Sequence, residues 1–206
     1  MRKIVFATNN RHKLEEAQAI LGEDFQLLTP RDCGITEEIP EDHPTLEGNA
    51  LQKAHYIHER TGFDCFADDT GLEVEALDGA PGVRSARYAG EEHDARANMA
   101  LLLKNMEAVP DIQCGARFRT VIALIFGGKE YLFEGEIRGA IIRKPAGEHG
   151  FGYDPVFRPD GYDVTFAEMD AAEKNRISHR GRAVGRLAEF FSATISASPR
   201  PFHNPR

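Results

Sequence analysis

The sequence predicts an α/β domain built on a mixed β-sheet. Short apolar runs typical of buried strands alternate with stretches of helical periodicity, which favours the α/β class. Two longer apolar runs flank a Gly-Gly pair typical of a hairpin, so part of the sheet must be antiparallel. The chain has 206 residues, 41% of them hydrophobic, enough to bury one sizeable core. We therefore expect residues 1–206 to form a single domain.

The first predicted strand covers residues 3–7, an apolar run. Helical spacing begins at Asn10, with apolar residues on one face and Gly22 placed to end the helix. Thr45 is a suitable N-cap for a second helix, and Gly62 lies just past its end. These signals place the first two helices before any long-range contact is considered.

The next segment is predicted to contain two short strands around a turn. A strand over residues 65–67 runs into the polar residues 68–71, which we expect to turn. Alternating apolar and acidic residues over 71–77 predict a half-exposed strand, and the Gly- and Pro-rich residues 78–82 end it.

The second half of the chain is predicted to contain a helix, a hairpin and a final helix. The helix covers residues 94–106, and the strands 116–126 and 130–142 pair across the Gly-Gly turn. Residues 145–161 read as loop, and the last helix begins near Ser178. The tail, residues 196–206, contains three prolines and is expected to be irregular.

The charge balance argues against several classes of partner. The formal net charge is −8, from 25 basic and 33 acidic residues, so nucleic acid and anionic membrane surfaces should repel the protein. No apolar run approaches the roughly 18 residues of a membrane span. Three cysteines without CxxC spacing suit reduced thiols. We expect a cytoplasmic protein that binds neither nucleic acid nor membrane.

Cations gather at the start of two predicted helices, where the helix dipole disfavours them. The first group opens the first helix, and its candidate ligands for an anion are Thr8, Asn9, Asn10, Arg11, His12 and Lys13. A phosphate chain docked on the free N–H groups would reverse the unfavourable electrostatics. The alternative is that Asn9 or Asn10 caps the helix and the cations are solvated.

The last helix repeats this pattern. His179 and Arg180 follow Ser178, and Lys174 and Arg176 lie just upstream. Two cationic helix starts in one acidic protein favour a polyanion site, although solvated charges remain the alternative. No GxxxxGK[ST] sequence is present, so the site is not a Walker A loop.

Adjacent acids suggest a magnesium site. Asp68 and Asp69 follow a buried strand, and neighbouring carboxylates usually share a cation or differ in ionisation. Oxygen ligands favour Mg²⁺, which takes one or two carboxylates together with phosphates and water. A second acidic group, containing Glu41 and Glu47, could supply another ligand. The alternative is a polar turn with exposed acids.

A glycine-rich segment near residue 150 could hold a base. Phe151 and Tyr153 could stack on it, Asp154 could accept a hydrogen bond from a ring N–H, and the glycines permit close approach. The alternative is a turn whose aromatic side chains pack on the core. No complete GxGxxG is present, which argues against a Rossmann site.

Taken together, five segments resemble the inosine/xanthosine triphosphate pyrophosphatase family over nearly the whole chain. They are FATNNRHK, TLEGNALQKA, FADDTGLEVEALDGAPGVRSARYAG, GFGYDPVF and FAEMDAAEKNRISHRGRA, in the family's order. The resemblance implies a long twisted mixed sheet flanked by helices, with two lobes around a central cleft, and a homodimer.

The resemblance also implies residue roles. Asp69 is the implied general base and metal ligand, with Asp68 and Lys13 also catalytic. Triphosphate contacts are implied for Thr8, Asn10 and Lys13, and a substrate contact for Thr70. The implied base pocket consists of Phe151, Gly152, Tyr153, Asp154, Lys174, His179 and Arg180. Many relatives have Glu-Asn-Ala where this chain has Gly48-Asn49-Ala50. The second metal ligand is therefore either Glu41 or Glu47, and we favour Glu41.

The resulting hypothesis is a Mg²⁺-dependent hydrolase that converts noncanonical purine nucleoside triphosphates (ITP, dITP and XTP) to monophosphate and pyrophosphate. N–H groups of His179 and Arg180 would donate to the 6-oxo group, whereas the 6-amino group of adenine would place donor against donor. Three alternatives remain at this point. They are a pyrimidine-directed pyrophosphatase, a nucleotide-binding protein without catalysis, and a nucleic-acid-binding module, which the net charge of −8 disfavours.

Overall fold

The computed structural model describes residues 2–197 and shows a mixed α/β architecture. The strands are β1 (Arg2–Phe6), β2 (Phe25–Leu28), β3 (Cys65–Val74), β4 (Pro81–Gly82), β5 (Gly115–Phe126), β6 (Lys129–Ile141) and β7 (Phe157–Pro159). The helices are α1 (Arg11–Leu21), α2 (Leu46–Thr61), α3 (Ala95–Asn105), α4 (Ala171–Ile177) and α5 (His179–Ala197).

The seven strands form one sheet in the order β2-β1-β3-β5-β6-β7, with β4 paired to β3. Strands β1 and β2 are parallel to each other, β1 is parallel to β3, and the remaining pairs are antiparallel. The predicted mixed sheet is confirmed. Its three long central strands extend through both halves of the molecule.

The core is divided between two lobes that share these long strands. In the first lobe, one sheet face packs against α1 and α5 and the other against α2. In the second lobe, the far halves of β3 and β5 pack with α3, β7 and Phe166. The middle of β3, which carries the acidic pair, lies where the two lobes meet. The expected cleft between lobes is present there.

Local signals placed several element boundaries correctly. Asn10 caps α1 and Gly22 ends it, with φ at 71°. Thr45 caps α2, and Gly62 ends that helix in the left-handed region. The turn between β5 and β6 is the predicted Gly127-Gly128 pair, and both residues have positive φ. These predictions are correct because helix caps and tight turns depend on residues that are neighbours in sequence.

The predicted turn at residues 68–71 is wrong. Strand β3 continues through it to Val74, and Asp68 and Asp69 pair with Ile122 and Val121 on β5. Pairing with β5 provides hydrogen bonds for the backbone of these residues. Buried cations balance the negative charges of the two acids. The strand ends before the predicted limit, because residues Glu75–Leu77 form a 3-10 turn.

Four short elements were not predicted. They are β2, β4, β7 and α4; β7 lies inside the predicted loop 145–161. Each is brief, so its stability depends on neighbours rather than on sequence periodicity. Helix α5 extends to Ala197, past the predicted start of the tail, and residues 198–206 lie outside the described part of the chain. No helix within residues 2–197 is long and apolar enough to cross a membrane.

Candidate active site

Two adjoining cavities lie at the junction of the lobes. The larger has a volume of about 1040 Å³ and the smaller about 310 Å³. Both are bordered by Asn10, Lys13, Glu41, Ala86 and His93. The larger is further lined by Thr8, Asn9, Lys53, Asp68 and Arg87. The smaller is further lined by Asp69, Thr70, Phe118, Phe151, Gly152, Tyr153, Asp154, Lys174, His179 and Arg180. Most of the predicted site residues therefore converge on one continuous cleft.

At the start of α1, one part of the alternative is confirmed, since Asn10 caps the helix, but Lys13 pairs with buried Asp68 and is not a solvated cation. Asn10 Oδ1 accepts from the backbone N–H groups of His12 (3.0 Å) and Lys13 (3.3 Å). Thr8 Oγ1 accepts from the N–H of Asn10 at 3.1 Å. These N–H groups already have partners, so an anion would have to be held mainly by side chains.

Not all of the cations at this helix start face the cleft. The Lys13 side chain reaches Asp68. The His12 ring stacks on Phe151, with 5.3 Å between ring centroids. Arg11 does not converge with them: its side chain is exposed and pairs with Glu15 at 2.7 Å. Of the three adjacent basic residues, only Lys13 and His12 contact other site residues.

Asp68 is a buried carboxylate held between two cations. Lys13 Nζ lies 2.9 Å from Oδ1, and Arg180 Nε lies 3.2 Å from Oδ2. Burial alone would raise the pKa of this carboxyl, but Lys13 and Arg180 outweigh burial and lower the pKa well below its usual range. Asp68 is therefore ionised and its charge is already balanced, which makes it a poor proton acceptor.

Asp69 has a different environment from its neighbour. Asn49 Nδ2 donates to Oδ2 at 3.1 Å, and Lys53 Nζ lies 3.6 Å from Oδ1. Burial raises the pKa of Asp69 despite the nearby Lys53. A raised pKa makes Asp69 the more basic member of the pair.

The two acids have separate partners because successive side chains of a strand point to opposite faces. Asp68 is held by cations from α1 and α5, whereas Asp69 is held by α2. They therefore do not share a cation. The pKa of Asp68 is lowered and the pKa of Asp69 is raised, so the two carboxyls differ in basicity.

Glu41 joins the Asp69 environment through a shared lysine. Lys53 Nζ bonds Glu41 Oε1 as well as approaching Asp69. Arg87 Nη1 lies 3.3 Å from Glu41 Oε2, and Arg87 Nη2 donates to the Glu41 carbonyl at 3.0 Å. Glu47 instead pairs with Arg119, away from this group. Between the two alternatives for the second acid, the geometry favours Glu41.

A chain of ion pairs connects α1, α5 and the glycine-rich loop. Glu16 accepts from Lys174 Nζ at 2.8 Å and from Arg180 Nη1 at 2.6 Å. Lys174 Nζ also bonds Asp154 Oδ2 at 2.8 Å, and Arg180 Nη2 donates to Thr70 Oγ1 at 3.2 Å. Burial raises the pKa of Asp154, although Lys174 opposes this. The network fixes the walls of the smaller cavity.

The aromatic residues of the loop have unequal roles. Phe151 lies at the cavity, with the Lys174 ammonium 4.9 Å and the Arg180 guanidinium 5.4 Å from its ring centroid. Tyr153 is buried in the second-lobe core, and its hydroxyl donates to the Ser85 carbonyl at 2.8 Å. Stacking on a base is therefore open to Phe151, while Tyr153 is mainly a packing residue, contrary to our expectation for it.

His179 is a buried imidazole rather than a cation. Its ring stacks on Phe118, with 4.6 Å between centroids. Burial, followed by Arg180 and Lys174, lowers its pKa well below the ordinary value. Among the described residues its Nδ1 has no hydrogen-bond partner. Of the two basic residues that begin α5, His179 is therefore neutral and only Arg180 is charged.

Sequence reasoning missed several residues of the site, among them Glu16, Asn49, Lys53, Arg87 and Phe118. A weak signal existed for two of them. Glu16 follows Lys13 by three positions on α1, which places both on one face. Lys53 lies among the buried apolar residues of α2, where an unpaired lysine would be costly. Asn49 and Arg87 lie in segments that carry the family resemblance but were given no role, and Phe118 carried no signal.

Known proteins are similar to this chain over most of its length. A model described as the Ham1 family matches residues 4–190. The dITP/XTP pyrophosphatase of Porphyromonas gingivalis is 53% identical over 190 residues, covering 92% of this chain and 97% of that protein. The protein of the same name from Flavobacterium johnsoniae is 49% identical over 192 residues, covering 93% and 99%. A HAM1 protein structure from Coxiella burnetii has a TM-score of 0.85 at 36% identity, covering 94% of this chain and all of that one (100%).

Proposed function

This chain belongs to the Ham1 family, and we infer that it hydrolyses noncanonical purine nucleoside triphosphates to monophosphate and pyrophosphate. The single observation that carries this inference is the pair of adjoining cavities. One is lined by cations and carboxylates suited to a phosphate chain, and the other by an aromatic ring and buried donors suited to a base. The substrates are dITP, ITP and XTP, and their removal cleanses the nucleotide pool.

The larger cavity would receive the triphosphate. Lys13 and Lys53 border it, and Thr8 and Asn9 lie beside them. Because Asn10 occupies two N–H groups of the first turn, we assign charge neutralisation to the lysine side chains. They would stabilise the charge that develops on the phosphate oxygens during hydrolysis.

The smaller cavity would receive the base, stacked on Phe151. Lys174 and Arg180 retain N–H groups beyond those bonded to the described residues, since they donate two and three hydrogen bonds respectively. We assign recognition of the 6-oxo group to these donors together with His179. The 6-amino group of adenine would meet donors and leave them unpaired.

Asp69 and Glu41 are the residues that would hold Mg²⁺. The donor set fits a hard ion, because both side chains are carboxylates. Both also lie within ion-pair distance of the same cation, the Lys53 ammonium. Within residues 2–197 no group of three or more His, Cys, Asp or Glu side chains could hold a metal. Phosphate and water would therefore complete the coordination. When bound, Mg²⁺ would withdraw charge from the phosphate chain.

Proton transfer would fall to Asp69. It is the acid whose pKa burial raises, and it borders the cleft. We propose that it accepts the proton of the water that attacks the α-phosphorus, so that pyrophosphate leaves intact. Asp68 would remain ionised, holding Lys13 and Arg180 in position.

One assay tests the function. Pyrophosphate release is measured from dITP, ITP, XTP, ATP, GTP, UTP and dTTP, with Mg²⁺ and with EDTA, and Asp69→Asn serves as the inactive control. We expect release from the first three substrates, only with Mg²⁺. Preference for UTP or dTTP would instead indicate a pyrimidine-directed enzyme, and binding without release would indicate a nucleotide sensor.

We further propose that the protein acts as a homodimer in the cytoplasm, where its substrates arise. Light scattering coupled to size-exclusion chromatography tests the dimer. A mass near 22.9 kDa, that of one chain, would contradict it.

A further inference from the structure

Lys53 is a buried cation placed between two acids. Its Nζ bonds Glu41 Oε1 and lies 3.6 Å from Asp69 Oδ1, and its side chain is only 6% exposed. The two acids come from different parts of the chain: Glu41 precedes α2, and Asp69 lies in the middle of β3. The lysine is therefore the group that joins them.

The remaining oxygens of both acids are fixed by other donors. Asn49 Nδ2 donates to Asp69 Oδ2 at 3.1 Å, and Arg87 Nη1 donates to Glu41 Oε2 at 3.3 Å. One oxygen of each carboxylate is thus held by the scaffold, while the other faces the Lys53 ammonium. The two oxygens that face Lys53 converge on a single point already occupied by positive charge.

These two carboxylates are the ones assigned above to Mg²⁺, and the inference rests on that proposed function. A divalent ion and an ammonium a few ångströms apart repel strongly in a buried site. Lys53 must therefore leave this point when a metal ion arrives, and it then needs another anionic partner. The larger cavity, which Lys53 also lines, is where the triphosphate would lie.

We propose that Lys53 is a placeholder cation that couples metal binding to triphosphate binding. Without a phosphate chain, Lys53 neutralises Glu41 and Asp69 and opposes a free metal ion. With a phosphate chain present, the flexible lysine stem carries the ammonium to a phosphate oxygen and frees the two carboxylates. The enzyme therefore takes metal and triphosphate together, and each ligand increases the affinity for the other.

The test compares the wild type with Lys53→Met using two probes and no hydrolysable substrate. The first probe is Mn²⁺ alone, whose binding to metal-stripped protein is followed by electron paramagnetic resonance. The second is a preformed one-to-one complex of Mn²⁺ with inorganic tripolyphosphate, followed by calorimetry. We expect Lys53→Met to bind Mn²⁺ alone at least about tenfold more tightly, and the complex at least about tenfold more weakly.

Lys174→Met is the matched control. It also removes one buried positive charge from the cleft, but Lys174 contacts Glu16 and Asp154 instead of the two metal-ligand carboxylates. We expect it to change Mn²⁺ affinity by less than about threefold, because Lys174 is paired with Glu16 and Asp154 and occupies neither carboxylate of the proposed metal site. A general effect of net charge would move both variants alike, and that outcome would refute the proposal.

Unchanged or weaker binding of Mn²⁺ alone by Lys53→Met would also overturn the inference. Circular dichroism and thermal unfolding check that the variant is folded. If Lys53→Met is not folded, Lys53→Gln takes its place, because glutamine keeps a hydrogen-bond donor without the charge. Lys53→Gln should also bind Mn²⁺ alone more tightly than the wild type and the tripolyphosphate complex more weakly. The proposed function is judged separately, by pyrophosphate release from ITP by the wild type, so the two can fail independently.

Discussion

Replacing Asp69 with Asn tests the assignment of the general base. Asp69 accepts from Asn49 at 3.1 Å through one oxygen, and Lys53 lies 3.6 Å from the other. Asparagine keeps the shape of the side chain but has only one acceptor oxygen, so at most Asn49 is left without a partner, since Lys53 still bonds Glu41. The substitution also removes the charge that would hold a metal ion and accept a proton.

Two magnitudes follow from that geometry. Loss of a general base lowers turnover about 10²- to 10⁴-fold, which is about 2.7 to 5.4 kcal/mol of barrier at 1.36 kcal/mol per tenfold. One buried donor left without a partner costs about 1–3 kcal/mol of unfolding free energy. The protein should therefore remain folded while its activity nearly disappears.

The assay measures kcat for pyrophosphate release from ITP, with urea unfolding of each variant as the control for folding. Asp68→Asn is the matched comparison, because it leaves the buried Lys13 and Arg180 without their shared carboxylate. That variant should lose about 3–5 kcal/mol of unfolding free energy, more than Asp69→Asn. Residual activity of Asp69→Asn above about a tenth of the wild type, only about 1.4 kcal/mol, would refute its role as base.

The remaining predictions concern acid stability, the phosphate chain, the metal and the base. The folded pKa of Asp68 is lowered, so its stabilisation is complete above its unfolded pKa of about 3.9 and is lost as pH falls through the lower folded value. Urea unfolding below about pH 4 should therefore show a shallower pH dependence for Asp68→Asn than for the wild type; identical slopes would contradict this. Lys13→Ala should weaken ITP more than IMP in calorimetry on the Asp69→Asn background, and equal losses would place Lys13 away from the phosphate chain. Glu41→Gln should raise the Mg²⁺ concentration needed for half-maximal activity at least about tenfold, whereas Glu47→Gln, whose carboxylate pairs with Arg119, should not; the reverse result would exchange their roles. ITP should exceed ATP in kcat/KM by at least about 100-fold, about 2.7 kcal/mol, and Arg180→Ala should reduce that ratio. Equal losses for ITP and ATP would assign Arg180 to the scaffold around Asp68 and Glu16.

The sequence by itself was sufficient for features that depend on nearby residues. Asn10, Gly22, Thr45 and Gly62 marked helix ends correctly because capping is a contact within a few positions along the chain. The Gly127-Gly128 pair marked the hairpin for the same reason. The family resemblance, carried by five ordered segments, supplied the candidate residues and the activity.

Other features were decided by tertiary structure. Residues 68–71 have the composition of a turn, yet they form the middle of β3 because β5 pairs with them and cations from distant helices balance the acids. His179 looked like a helix-start cation, but burial makes it neutral. In both cases the deciding partner lies far away in sequence.

The same reason limits what the sequence could say about the two acids proposed to hold the metal. Glu41, Lys53 and Asp69 are separated along the chain, and only packing of α2 against β3 brings the lysine between the two acids. The sequence shows which residues are charged and where they lie along the chain, but it does not show which of them pair with each other. Ionisation and coupling depend on distance and burial, which exist only once the chain is folded.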